Sequence, residues 1–498
     1  IHHPHSHEIL VLSQTANTVE WRCVDGLRGR IISESSVDVT SPVVQVAPIH
    51  GHSHASGGCK QNAVLVFEDN SVLVMPNAAQ AAMEVSKISD VGLYTHTIDK
   101  PTGVFRSMKI STDSSASGEA LPSGQVQTIG ETIFDPKVEK IINVAYPQRN
   151  EVVQSPSTIL GNDSLLLKYL NPHLCVVVTE ATLDFMNELE ESEGENSNPF
   201  YKALESSSKS ADTKKPVGAT KPGEKVASSS ATTNTPIPTP TLFINLLDTV
   251  SGQVLHRVSH NHAAPGALPG VPTNVPVAIS ENWIVYAFPN TRSRRTELGV
   301  LTLHEGMVDK HGITAFSSPE QQLTFSSLNS QKPIVLTKTY GVNYPVSAVG
   351  VTNTKGGISS KSFLLATGIN GKVVKIDRRL LDPRRPSGEP KTSEKKEGLM
   401  QYTPLLPLTP LAVESYYNNV EDVSIIVSTS ANLESQTLIL ALGGPDIFFS
   451  RFAPSKGFDS LPESFNKPVI VLVILGLSIV LGALKRMGEN KHVKLFWS

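Results

Sequence analysis

The stretch Pro468-Val-Ile-Val-Leu-Val-Ile-Leu-Gly-Leu-Ser-Ile-Val-Leu-Gly-Ala-Leu484 constrains the rest of the chain more than any other. It carries no charge, and Ser478 is its one strongly hydrogen-bonding side chain. As a helix it spans roughly 25 Å at about 1.5 Å per residue, enough for a thin hydrocarbon core. A buried core helix of a soluble protein is the competing assignment, but such helices seldom run this long without a polar face. Lys485, Arg486, Lys491 and Lys494 follow the stretch, whereas Lys467 is the lone nearby cation before it. The excess of positive charge places residues 485–498 in the cytosol and everything before Pro468 across the membrane.

That orientation requires export of the large N-terminal part. The chain nevertheless opens Ile1-His2-His3-Pro4, with neither an initiator Met nor a signal peptide, so the expectation is the C-terminal part of a longer type I membrane protein. A formal net charge of −3 offers no electrostatic footprint for nucleic acid. Three cysteines, Cys23, Cys59 and Cys175, form no CxxC motif, and their odd number defines no disulfide framework. One pair, such as Cys23 with Cys59, is available for a bridge in an oxidising lumen. Asn162-Asp163-Ser164 is a glycosylation sequon, as suits a luminal segment.

Before the span the patterning is that of strands. Glu8–Ser13 is strand-like, and Ala63–Phe67 and Ser71–Met75 flank the turn 68–70 as a hairpin. A strand, an Asp or Asn turn with Gly, and a second strand recur at Val19–Ile32, Leu242–Leu255 and Ser362–Ile376. In the last, Asn370-Gly371 is the strongest short hairpin signal, since a type I′ turn needs positive φ at both central residues. This is the unit of a quinoprotein-like β-propeller blade; unrelated hairpins in a sandwich are the alternative. Further strands read at 281–286, 298–303, 424–428 and 436–441, and Leu174-Cys-Val-Val-Val-Thr179 is a strand in need of partners.

Polar stretches interrupt the body. Residues 111–124 are Ser-rich. Residues 188–240, an acidic patch and then a Lys/Ser/Thr/Pro tract, have too little apolar content to offset the entropy of ordering. We read them as an insertion within a blade, and 386–399 as a solvated surface loop. The domain division is thus blades in 1–187, a disordered insertion at 188–240, blades and a membrane-proximal region at 241–467, a transmembrane helix at 468–484 and a cytosolic tail at 485–498.

No residues announce catalysis: GxSxG, HExxH, GxxxxGK[ST] and CxxC are all missing from the sequence. His2, His3, His5 and His7, then His50, His52 and His54 with Cys59, have the chemistry of zinc or copper ligands. Their Gly- and Ser-rich flanks supply nothing to orient the rings, so we read polar loops and assign no metal and no cofactor. Two compact basic turns stand out, Arg292-Ser-Arg294-Arg295 and Asp382-Pro383-Arg384-Arg385-Pro386. Such arginines either dock a partner or lipid headgroups, or pair within the chain. Gly476 and Gly482, with Ser478, would let the span pack closely on another helix.

Several blocks occur together in order: Lys168–Glu180, Ser280–Tyr286, Thr314–Ser318, Leu380–Pro386 and Pro454–Asp459, then the span. The set resembles subunit 1 of the endoplasmic reticulum membrane protein complex, most clearly from Leu165 onward. The resemblance implies a luminal β-propeller scaffold on one transmembrane helix, within an insertase for tail-anchored and multipass proteins. Its partners would be other subunits of that complex, client transmembrane segments and the bilayer. It also implies that Lys456 and Asp459 lie near the luminal membrane surface, facing partners or clients, with Arg384 and Arg385 as further partner-facing candidates. The chain departs from the family pattern in having Asn466 and Lys467 where an acidic residue often precedes the span. A type I sorting or cargo receptor would predict trafficking signals in the tail, and none is evident in 485–498. A membrane-anchored quinoprotein oxidoreductase would predict a bound cofactor.

Overall fold

The computed structural model describes residues 8–15, 18–49, 62–69, 71–75, 93–112, 124–148, 151–182, 239–267, 272–308, 326–328, 332–368, 371–407, 412–416, 418–459 and 466–496. The strands fall into antiparallel meanders taken in chain order, as hairpin-sized connections dictate. The first comprises β1 (Glu8–Thr15), β2 (Thr18–Asp25) and β3 (Arg30–Asp38), and the second β4 (Val43–Ile49), β5 (Asn62–Phe67) and β6 (Ser71–Met75). The third is β7 (Leu93–Asp99), β8 (Val104–Thr112) and β9 (Gly124–Ile133), joined to the second by a short β6–β9 pairing.

The fourth meander takes β10 (Glu139–Ala145), β13 (Leu174–Ala181), β14 (Thr241–Asp248) and β15 (Val254–Asn261). Between its first two strands the chain makes a small excursion, β11 (Ser157–Ile159) and β12 (Leu165–Lys168). The fifth holds β16 (Val277–Ser280), β17 (Trp283–Asn290), β18 (Arg295–Val308) and β19 (Ile334–Val342). The sixth is β20 (Val346–Val351), β21 (Ser362–Thr367) and β22 (Val373–Asp377), and the seventh β23 (Ile425–Ser430), β24 (Thr437–Leu442) and β25 (Ile447–Phe452).

The fourth, fifth and sixth sheets bury both faces, one against the sheet before and one against the sheet after, whereas the strands of the seventh alternate between covered and exposed side chains. Cys175 and Val177 of β13 pack with Phe105, Phe134 and Ile141 toward the third meander. Val176 and Val178, pointing the other way, pack with Ile279, Ile284 and Leu301 of the fifth. Val285 and Val300 then meet Val346, Phe363 and Leu365, and Leu364 and Ala366 meet Ile439 and Ala441. A strand buried on both sides must be a continuous apolar run, which is why Leu-Cys-Val-Val-Val shows no alternation. Each such side chain contributes about 1.5–3 kcal/mol by leaving water. First strands of successive sheets lie side by side, β10 on β16, β16 on β20 and β20 on β23. They surround a central cavity of about 580 Å³ lined in part by Asn143, Val277, Ala348 and Ile426. Sheets stacked face to face with their first strands at a shared axis make a β-propeller.

β13 finds its partner in β14, Cys175 opposite Leu247 and Thr179 opposite Phe243, so the chain returns after 182 to the sheet it left. The insertion assigned from sequence, 188–240, lies outside the described residues except for Thr239 and Pro240. Where 386–399 was expected to be loop alone, it contains a one-turn helix, α1 (Thr392–Lys396), and Leu399 is buried. Here Glu394 accepts from the Lys391 backbone N–H at 2.7 Å, a local capping contact that holds the turn. The last element is the helix α2 (Lys467–Phe496). Its apolar part is exposed throughout, as suits a membrane span, and the helix runs on through most of the polar tail instead of ending at Leu484.

Candidate functional site

The densest chemistry gathers where the fifth sheet, onto whose β18 the strand β12 is paired, meets the sixth and the segment 151–154. Glu281 occupies the tight turn between β16 and β17 at φ 52, a left-handed conformation that non-glycine residues adopt at a cost. What holds it there is its surroundings. The carboxylate receives the Lys168 ammonium at 2.6 Å, the Lys361 ammonium at 3.2 Å and the Arg378 guanidinium at 3.5 Å. It also accepts the Gln154 backbone N–H at 3.0 Å. A second carboxylate, Glu151, accepts from the Glu281 backbone N–H at 2.8 Å and the Ser280 hydroxyl at 2.5 Å, and pairs with Lys361 at 2.6 Å. Two carboxylates thus face three cations. Burial opposes the Glu281 charge, but Arg378 and Lys168 outweigh it and hold the carboxyl down at about 2. Lys168 is lowered, first by burial and further by Arg378 and Lys361, despite the attraction of Glu281.

Lys168 and Arg378 of this cluster line a cleft of about 510 Å³. The Arg378 guanidinium stacks 4.5 Å over the Trp283 ring, and His304 lies behind with its Nε2 3.2 Å from the Thr302 hydroxyl. Burial first, then Arg384, pushes the His304 imidazole down to about 4, so it is neutral at physiological pH. The opposite wall is the Asp-Pro-Arg-Arg-Pro turn. Arg384 reaches Asp382 at 3.0 Å and Glu397 at 2.7 Å, while Glu397 also accepts the Gly161 N–H at 2.8 Å.

Arg384 is thus paired within the chain while remaining partly exposed in the cleft, and of the two arginines only Arg385 is turned away from solvent. Arg385 is buried, donating to the carbonyls of Leu380 at 2.6 Å, Met400 at 3.4 Å and Gln401. Its proline neighbours aim it inward as a strut. The other candidates lie apart from the cleft. Asn162 is exposed in the β11–β12 turn, its Oδ1 accepting the Ser164 N–H at 3.1 Å. Lys456 and Asp459 are exposed on the segment after β25, and Asp459 accepts the Ser435 N–H at 3.0 Å. Gly476 and Gly482 have no atom within 4 Å of an added Cβ, so their face of the helix is open. Cys23 is disulfide-bonded and Cys175 is free and buried. Cys59 and the histidine-rich stretches lie outside the described residues; among the described ones no group of three metal-ligating side chains converges.

Of the cluster and cleft residues, Glu151, Lys361, Arg378 and His304 were not singled out from sequence. They come from a loop (Glu151), the two flanks of the β21–β22 hairpin (Lys361 and Arg378) and the interior of β18 (His304), with no local spacing to mark them. Lys168, Asn282, Trp283, Asp382 and Arg384, by contrast, belong to blocks quoted for the family resemblance, and the fold brings them to this one cleft.

Residues 2–187 and 225–455 match the family described as ER membrane protein complex subunit 1, second beta-propeller. The chain belongs to this family. A relative of that name from Xenopus laevis is 24% identical over 497 residues, covering 99% of this chain and 42% of the relative. The Gallus gallus relative is 29% identical over 361 residues, 72% of this chain and 30% of its own. One from Schizosaccharomyces pombe is 31% identical over 257 residues, 51% of this chain and 28% of its own. The chain thus spans less than half the length of the curated relatives it matches. Among solved structures, the WD40 domain of SCAP from fission yeast aligns over 92% of this chain and 84% of its own, at 10% identity and a TM-score of 0.23. The family is one of the ER membrane and is named for a subunit of a complex, not for an enzyme.

Proposed function

We propose that this chain is the membrane-proximal propeller and anchor of a luminal scaffold within an ER membrane insertase, supporting insertion of tail-anchored and multipass proteins. The observation that carries this is the joining of the family's second propeller, in one chain, to an exposed apolar helix, the single one of that length among the described residues. A propeller offers a broad rigid rim for partner subunits, and an exposed helix with Gly476 and Gly482 on its surface offers an intramembrane contact for them or for client segments. The charge distribution around α2 supports a luminal propeller, with Asn162 available there for glycosylation. The chemistry of the cleft supports a structural role. Its ionised groups are spent on one another, and the one imidazole is neutral and behind them.

The test is purification of the full chain from its native membrane in a mild detergent, with mass spectrometry of the accompanying proteins. A stoichiometric set of membrane and cytosolic subunits is the expected result. A lone protein, or one carrying varied luminal cargo, would replace the scaffold with a sorting receptor.

A further inference from the structure

After β25 the chain is fastened to the propeller before it enters the membrane. The Ser362 hydroxyl donates to the Pro454 carbonyl at 3.1 Å and the Lys375 ammonium to the Ala453 carbonyl at 3.2 Å. Asp459 then accepts from both the backbone N–H and the hydroxyl of Ser435. The preceding residue, Glu434, holds a different loop. Its carboxylate accepts the Ile358 N–H at 2.8 Å, the Thr354 hydroxyl at 3.0 Å and the Gly356 N–H, and its carbonyl accepts the Ser359 hydroxyl at 3.1 Å. Gln154 donates to the Ile358 carbonyl at 3.2 Å, and a Cβ on Gly357 would lie 2.8 Å from a Val152 methyl. The loop 353–359 and the exit segment 453–459 are thus tied to two consecutive residues and held in place.

At the tips of these fastened segments stand two large apolar side chains in the open, Ile358 at 68% and Phe458 at 59% exposure. Lys355 and Lys456 are exposed beside them. Lys467, where α2 begins, is eight residues on from Asp459, and a fully extended chain covers at most about 3.6 Å per residue, or roughly 29 Å. Asp459 therefore cannot lie farther than that from the start of α2, and Phe458 is its neighbour in the chain.

We propose that the paired loops form a membrane-contacting surface. Ile358 and Phe458 seat in the headgroup boundary of the leaflet that α2 enters, and Lys355 and Lys456 lie on its phosphates. The tether makes the surface continuous with the membrane contact of the helix. Apolar tips beside cations match the chemistry of that boundary, where aromatic side chains and the stems of lysines are stable. Two side chains are too little for a protein partner, whose stable interfaces bury on the order of 800 Å² per side. The inference rests on α2 spanning the bilayer and is independent of the insertase reading. A failed co-purification would leave it standing, and its own failure would leave the complex untouched.

The test places an environment-sensitive fluorophore on single cysteines, Ile358→Cys, Phe458→Cys and Ile447→Cys, in the full chain reconstituted in phosphatidylcholine vesicles. Ile447 is equally exposed but begins β25, about 17 Å along the strand from the exit. Cys175 is buried and Cys23 is disulfide-bonded, so neither competes for the label. The quencher is phosphatidylcholine carrying a nitroxide at the headgroup end of its acyl chain. Side chains seated about 5–10 Å into the boundary lose roughly half or more of their emission, at 358 and 458 but not at 447. Quenching at neither tip, or equal quenching at all three sites, overturns the proposal. The double variant I358D/F458D, followed through a label on Lys355→Cys, supplies the second reading. Its folding is checked by thermal melting, and quenching at 355 falls to the level at 447 if the apolar tips hold the loop at the surface. Unchanged quenching at 355 also overturns it.

Discussion

Replacing Glu281 by Gln is the sharpest probe of how the fifth and sixth sheets are held together. The substitution keeps the volume and removes one of two carboxylates from a cluster that contains the ammonium groups of Lys168 and Lys361 and the Arg378 guanidinium. The Glu281 side chain is fully buried, and its carboxyl is held down from 4.5 to about 2. That depression corresponds to roughly 3 kcal/mol of stabilisation at neutral pH. Breaking a buried ion pair from one side typically costs about 3–5 kcal/mol, so both routes reach the same magnitude. The folded-state value lies below the unfolded one. The contribution is therefore complete above about pH 4.5 and disappears as pH falls through 2. Thermal unfolding of the full chain in detergent measures it, with E281Q melting several degrees lower at pH 7 and the gap closing toward pH 2. Lys168→Met is the comparison. It removes one cation from the side with more of them, where Lys168 is already lowered, and should cost markedly less than E281Q. If E281Q lies within about 1 kcal/mol of the unmodified chain, or K168M is the worse of the two, the account of the cluster is wrong.

Other consequences are simpler to read. Cys175 has its thiol pushed up to about 12, chiefly by burial, so alkylation should be negligible in the folded chain and rapid in denaturant. Gly299 lies opposite Tyr286 across β17 and β18, and a Cβ there would overlap the Tyr286 ring, so Gly299→Val should destabilise by about 1–3 kcal/mol in the same melting assay. Gly476→Leu with Gly482→Leu should leave the melt unchanged, since neither position has neighbours in the chain, yet lower the recovery of partner subunits; undiminished recovery would remove these glycines from the interface. Asn162→Gln should abolish an endoglycosidase-sensitive mobility shift of the protein made in microsomes. A shift that persists places the glycan elsewhere, and no shift in either form places none at Asn162.

Much of this molecule is written locally. A run of apolar residues from Pro468 to Leu484 is a helix in lipid because only a helix satisfies its own backbone there. The hairpins at 63–75, 242–255 and 362–376 follow from alternation or apolar runs bounded by turn residues, but in the last Thr367 pairs with Lys372, so four residues lie between the paired ones and not the two of a type I′ turn at Asn370-Gly371. Tertiary structure decided what local chemistry leaves open. The partner of Leu174–Ala181 lies across the long polar insertion, because an apolar run buried on both faces takes whichever neighbouring strands cover it. The Asp-Pro-Arg-Arg-Pro turn reads alike whether its arginines point out or in, and Asp382, Glu397 and the carbonyls of Leu380 and Met400 settle the matter. The Glu281 cluster draws on positions 151, 168, 281, 361 and 378, each unremarkable among its sequence neighbours. Charges that far apart along the chain acquire a common low-dielectric site only when the sheets stack, so only the fold could assemble them.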